Sequence, residues 1–117
     1  MSCLDTEILE ELRDLLGVDE LHAITGAFIT QLEVQLEQLA RYAAETDLEG
    51  AGRVAHSLKG GAGNLGASQL SEAAAAIERH ARAGDTAGFA SGLATLPALA
   101  RLTVAELQAL GYAPAAS

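Results

Sequence analysis

DLEGAGRVAHSLKGGAGNLGA, residues 47–67, carries a helical pattern together with residues that oppose it. Asp47 is a good helix N-cap, and Ala51, Val54, Ala55, Leu58, Ala62 and Leu65 recur at helical spacing. Gly60, Gly61 and Gly63 interrupt that pattern, each at a cost of about 1 kcal/mol relative to alanine. Alanine is used freely elsewhere, as at Ala73 to Ala76. Departures of this kind from local consistency mark functional sites; the plain alternative is a frayed helix end with Asn64 and Gly66 as caps. Helical projection separates the two. At about 100° per residue the inner face centres near Leu58, and His56 lies roughly 160° away, toward solvent. Gly60 and Gly63 fall within about 40° of His56, and Gly52 is its neighbour one turn back. The imidazole therefore stands on a face cleared of side chains, with Lys59, the only lysine of the chain, three residues along. Fraying alone requires neither residue.

Four further segments have helical periodicity. The first is capped by Asp5, carries Ile8, Leu9, Leu12, Leu15 and Leu16, and ends at Gly17. The second starts near Asp19, has Leu21, Ile24, Phe28, Leu32, Leu36, Leu39 and Ala43 on one stripe, and ends near Thr46. Ser68 is the expected cap of the fourth, which buries Leu70, Ala73, Ala74, Ile77 and Ala81 and stops at Gly84. Asp85 caps the fifth, whose apolar positions are Phe89, Leu93, Leu96, Ala100, Val104, Leu107 and Leu110. Pro97 lies within that stripe and implies a kink or a break into two helices; the unbroken phase of the stripe favours the kink. Loops of two to four residues between long helices force antiparallel neighbours. The expected fold is all-α: an up-down-up-down four-helix bundle with a short additional N-terminal helix across one end. It is expected as one domain over residues 1–112, followed by a disordered tail, 113–117.

Composition agrees with that fold and excludes several functions. The 117 residues suffice for a single core. Half are hydrophobic but only 3% aromatic, a palette of Leu, Ile, Val and Ala that suits packed helices. The net charge of −9 repels nucleic acid and anionic lipid. No run approaches the roughly 20 unbroken apolar residues of a membrane span. The opening Met-Ser-Cys-Leu-Asp has neither the basic region nor the apolar run of a signal peptide, so the expected compartment is the cytosol. Cys3, the single cysteine, cannot form an internal disulfide and is given no role.

His56-Ser57-Leu58-Lys59-Gly60, followed by Ala62, Gly63, Asn64, Leu65, Gly66, Ala67 and Leu70, resembles the signature of histidine-containing phosphotransfer (HPt) domains. The likeness extends upstream through Glu20, Leu21, Phe28 and Leu32 to Asp47, and downstream through Ile77, Glu78, Ala81, Gly84 and Asp85. It implies a phosphorelay protein of two-component systems that accepts a phosphoryl group on His56 and exchanges it with aspartates of response-regulator receiver domains. Glu78 matches a position that is Gln in many phosphorelay members and Glu in the chemotaxis-kinase type. There the side chain accepts a hydrogen bond from the histidine Nδ1–H and leaves Nε2 to take the phosphoryl group. An antiparallel fourth helix would bring Glu78 level with His56. Lys59 would then balance charge on the phosphohistidine, while Gly60, Gly63, Ser57 and Arg53 form the partner surface. For Arg79 and Arg82, as for Arg53, surface solubility is the simpler reading of the residue alone.

The chain has no Gly-rich phosphate loop, so it is not expected to act as an autonomous kinase. Expected partners are a receiver domain, a (hybrid) histidine kinase, or both, with a monomeric chain. No cofactor is expected in the chain; Mg²⁺ would come with the receiver. A zinc site from His22, His56 and His80 has no spacing support. Two other readings compete. A non-catalytic helical adaptor would bind a receiver or kinase without phosphate transfer. A metal- or haem-binding bundle would need inward histidines that the projection does not give.

Overall fold

The computed structural model describes residues 2–115, which form five helices in the order α1 (Thr6–Leu16), α2 (Val18–Ala44), α3 (Leu48–Asn64), α4 (Ser68–Arg82) and α5 (Thr86–Ala109), with no strand among them. Helix α2, at 27 residues, is about 40 Å long at 1.5 Å per residue and spans the 42 Å long axis of the molecule. Helices α2 to α5 close a ring in which each packs on its sequence neighbour and α5 returns to α2. The short connections make those neighbours antiparallel, giving the four-helix bundle.

Three aspartates begin helices as the sequence predicts. Asp5 accepts from the Glu7 N–H, Asp47 from Gly50 and Asp85 from Gly88. Ser68 is not the cap of α4. The N-cap is Ala67, and the Ser68 hydroxyl turns back to the Gly66 carbonyl at 3.3 Å. Gly17, at φ 85°, ends α1 and starts α2 with no further linker.

Helix α1 lies across the bundle end formed by the α3–α4 turn and the C-terminal end of α5. Leu9 is fully buried, the Asp5 N–H donates to Gly66 O at 2.7 Å, and Glu106 accepts from Ser2 and from the Cys3 N–H. A side chain at Gly66, already at φ +76°, would meet Asp5 O at 2.8 Å. Only glycine serves there.

One core runs from Leu4 to Ala113, built mainly of leucine and alanine. Two expectations change. On α2, Ile24 is exposed while Thr25 and Gln35 are buried, so the inner stripe is rotated; Thr25 is tolerated there because its hydroxyl donates to Leu21 O and Tyr112 O. Helix α5 runs unbroken through Pro97, which removes the tandem-helix alternative. The tail expected from residue 113 begins instead with a buried residue, Ala113, while Pro114 and Ala115 are exposed. Tyr112 and Ala113 are buried, His22 Nε2 lies 2.8 Å from Gly111 O, and Pro114 covers Gly26. Residues 116 and 117 of that tail lie outside the described residues. By length and composition α5 could cross a bilayer, yet Phe89, Leu96, Ala100, Thr103 and Leu107 are spent on the bundle.

Candidate functional site

The α3–α4 pair, the most extensive helix contact of the fold, is lined by very small residues. Ala51, Gly52, Ala55 and Ala62 of α3 are buried, as are Ala74 and Ala81 of α4. A Cβ on Gly52 would lie 3.6 Å from the Ala81 Cβ, and one on Gly63 would lie 3.3 Å from Ser71 Oγ. The Ser71 hydroxyl crosses to the Lys59 carbonyl at 2.9 Å. This close approach lets a glutamate on α4 reach side chains projecting from the outer edge of α3.

Glu78 is that glutamate. It is 7% exposed, a costly position for a carboxylate unless its oxygens are matched by donors. They are. His56 Nδ1 lies 2.8 Å from Oε2, Lys59 Nζ donates to Oε1 at 2.8 Å, and an Arg82 guanidinium nitrogen lies 2.8 Å from Oε2. The Lys59 ammonium, helped by His56 and Arg82, holds the Glu78 carboxyl below its ordinary range against the upward push of burial. Glu78 is thus ionised at neutral pH and can only accept. An acceptor at Nδ1 fixes the neutral imidazole as the Nδ1–H tautomer and leaves Nε2 with its lone pair. The His56 side chain is 61% exposed, and among the described residues its only hydrogen bond is the one through Nδ1.

The structure brings His56, Lys59 and Glu78 together, with Lys59 seated on Glu78 and not on the imidazole. Gly60 is exposed, and a Cβ there would have nothing within 4 Å, the clearance expected from projection. Gly52, expected on the cleared face, is instead buried against Ala81, and Gly63 is partly a contact with Ser71. Ser57 is exposed on the α2 side, 3.5 Å from Gln35 Nε2. Arg53 reaches Glu49 at 3.4 Å. Arg82, for which surface solubility is the simpler reading in sequence, belongs to the Glu78 cluster. Its i, i+4 spacing from Glu78 was the available signal. His22 and His80 are directed elsewhere, to Gly111 O and to Asp85, and no group of metal-ligating side chains occurs among the described residues.

On the α2 side of His56 an open groove of about 500 Å³ is lined by Leu12, Ile24, Ala27, Phe28, Gln31 and Leu65 together with Ser57 and Gly61. On the α4 side lies a more polar crevice. An exposed imidazole on a glycine-cleared helix, oriented by a buried carboxylate, is an arrangement for presenting a nucleophile to another macromolecule. The family profile described as Hpt domain matches residues 23–110. The chain belongs to the Hpt domain family. Neither a curated protein nor a solved structure matches it. The matched span covers α2 to α5 almost entirely and omits α1. As an Hpt domain the chain is a helical-bundle module of histidine phosphotransfer in two-component signalling. Such domains interact with receiver domains and histidine kinases.

Proposed function

We propose that this Hpt domain accepts a phosphoryl group on Nε2 of His56 and exchanges it with the aspartate of a response-regulator receiver domain. The observation that carries the reading is the Glu78 carboxylate 2.8 Å from His56 Nδ1. With the proton held on Nδ1, the Nε2 lone pair attacks the phosphorus of a partner's aspartyl phosphate. The N–P bond forms as the acyl P–O bond breaks, and the carboxylate of the partner is released. The reverse step returns the group to an aspartate. Positioning and charge stabilisation dominate such transfers. Lys59, seated on the other oxygen of Glu78, can turn toward the phosphoryl oxygens, while Arg82 keeps Glu78 compensated. Mg²⁺ is expected to arrive with the receiver.

The apolar groove beside His56 supports docking of a receiver on the α2 side, and the open space at Gly60 admits the partner's phosphoaspartate. The reading includes a monomeric, cytosolic chain that draws its phosphate from partners.

The test is transfer of label from purified phosphorylated receiver domains. An acid-labile, alkali-stable adduct is expected on the wild-type chain and none on His56→Gln. A receiver that binds tightly and transfers nothing would turn the assignment to a phosphate-free adaptor, and stable labelling of His56→Gln would move the acceptor elsewhere.

A further inference from the structure

The cations of this acidic chain are not evenly spread. Helices α3 and α4 carry four of the seven Lys and Arg (Arg53, Lys59, Arg79, Arg82) but three of the sixteen Asp and Glu (Glu49, Glu72, Glu78). The pair is net +1, and the rest of the −9 chain is therefore −10. Between the two helices a crevice of about 420 Å³ is lined by Leu48, Glu49, Gly52, Arg53, Ala81 and Arg82. Its floor is Gly52, one turn from His56, and its walls are Glu49 and the two arginines, whose side chains are 63% and 65% exposed. Arg82 uses one guanidinium nitrogen on Glu78, and the guanidinium fork has further donors. Arg53 is engaged by Glu49 only at 3.4 Å between exposed side chains, a contact of little energetic worth.

We infer that this crevice receives a carboxylate-bearing surface of the protein that exchanges phosphate with His56, and that Arg53 and Arg82 set the register of the encounter. The inference rests on the phosphotransfer reading for the identity of the partner. A partner that holds Mg²⁺ beside its phosphoacceptor must gather carboxylates there, because Mg²⁺ takes oxygen ligands. Such a face is repelled by most of this chain and attracted only where α3 and α4 turn outward. Repulsion elsewhere and attraction beside His56 select one orientation, and complementarity of this kind acts chiefly on association rate and specificity. The apolar groove on the α2 side and the cationic crevice on the α4 side then flank the imidazole.

The experiment uses the receiver domain that binds the wild-type chain most tightly, with phosphoramidate as a small donor that needs no docking surface. Arg53→Glu should weaken receiver binding and lower the ratio of receiver-driven to phosphoramidate-driven labelling on the order of tenfold in 50 mM salt. The effect should shrink in 300 mM salt, where screening shortens to several ångströms. Glu49→Gln, which removes a negative wall of the same crevice, should raise receiver affinity. Circular dichroism checks that both variants keep their helices. Affinity and labelling ratio within twofold of wild type for both variants, at low salt, would overturn the inference. Should neither that receiver nor phosphoramidate label His56 while Arg53→Glu still weakens receiver binding, the phosphotransfer reading falls and the docking surface stands.

Discussion

Substitution of Gly60 tests whether this glycine is kept for clearance or for folding. Its backbone is helical, and an added Cβ meets nothing within 4 Å. Gly60→Ala should therefore gain helix propensity of up to about 1 kcal/mol. Spread over 117 residues at about 2.1 cal/mol/K each, that is a rise of about 4 °C in Tm. Glutamine has nearly the helix propensity of alanine, so Gly60→Gln should be stabilised to a similar degree. Its side chain, however, stands one turn from His56 on the same face and obstructs the partner's approach. Displacing reacting atoms by about 1 Å can cost about 100-fold in rate, so transfer from a phosphorylated receiver should fall on the order of tenfold or more. Gly63→Ala is the control: its Cβ crowds Ser71 Oγ at 3.3 Å, and the gain in Tm should be smaller. Thermal unfolding by circular dichroism and single-turnover transfer are measured on the same preparations. A lower Tm for Gly60→Ala, or wild-type transfer by Gly60→Gln, would refute the clearance reading.

Glu78→Ala removes the acceptor of His56 and should lower transfer on the order of tenfold without abolishing it; single-turnover rates at fixed receiver concentration check this, with Glu78→Gln retaining more activity because an amide oxygen still accepts. Glu78 also predicts an acid dependence. Its carboxyl is held below the ordinary range by Lys59, His56 and Arg82, so the stability it contributes is complete above its unfolded value, about 4.3, and is lost as pH falls through the lowered folded value. The Tm gap between wild type and Glu78→Gln should accordingly be full near neutrality and close on acidification. Asp47→Ala, which frees the Gly50 N–H at the start of α3, should cost about 1 kcal/mol, read from chemical denaturation.

Much of this fold is written locally. Asp5, Asp47 and Asp85 cap their helices because a short acceptor before an apolar period has one obvious use. The juxtaposition of His56 and Glu78 follows from two antiparallel helices in register. What was not legible depends on distances between elements. Gly52 and Gly63 look like Gly60 in sequence, yet they lie against Ala81 and Ser71 of α4, and no period within α3 reveals how close α4 comes. Arg82 is one turn from Glu78, a spacing visible in sequence, but that the carboxylate is buried and takes a third donor is not. The segment after α5 has no periodicity, and its order comes from His22 and Thr25 on α2, nearly ninety residues away in the chain.

The central claim is that Glu78 keeps the proton on Nδ1 of His56 so that Nε2 receives the phosphoryl group. Long-range ¹H–¹⁵N correlation spectra of the imidazole, before and after phosphorylation by a receiver or by phosphoramidate, test it most directly. The expected result is an Nδ1–H tautomer in the free protein and phosphorus on Nε2 with the Nδ1 proton retained. Phosphorus on Nδ1, or an Nε2–H tautomer in the free protein, would contradict it.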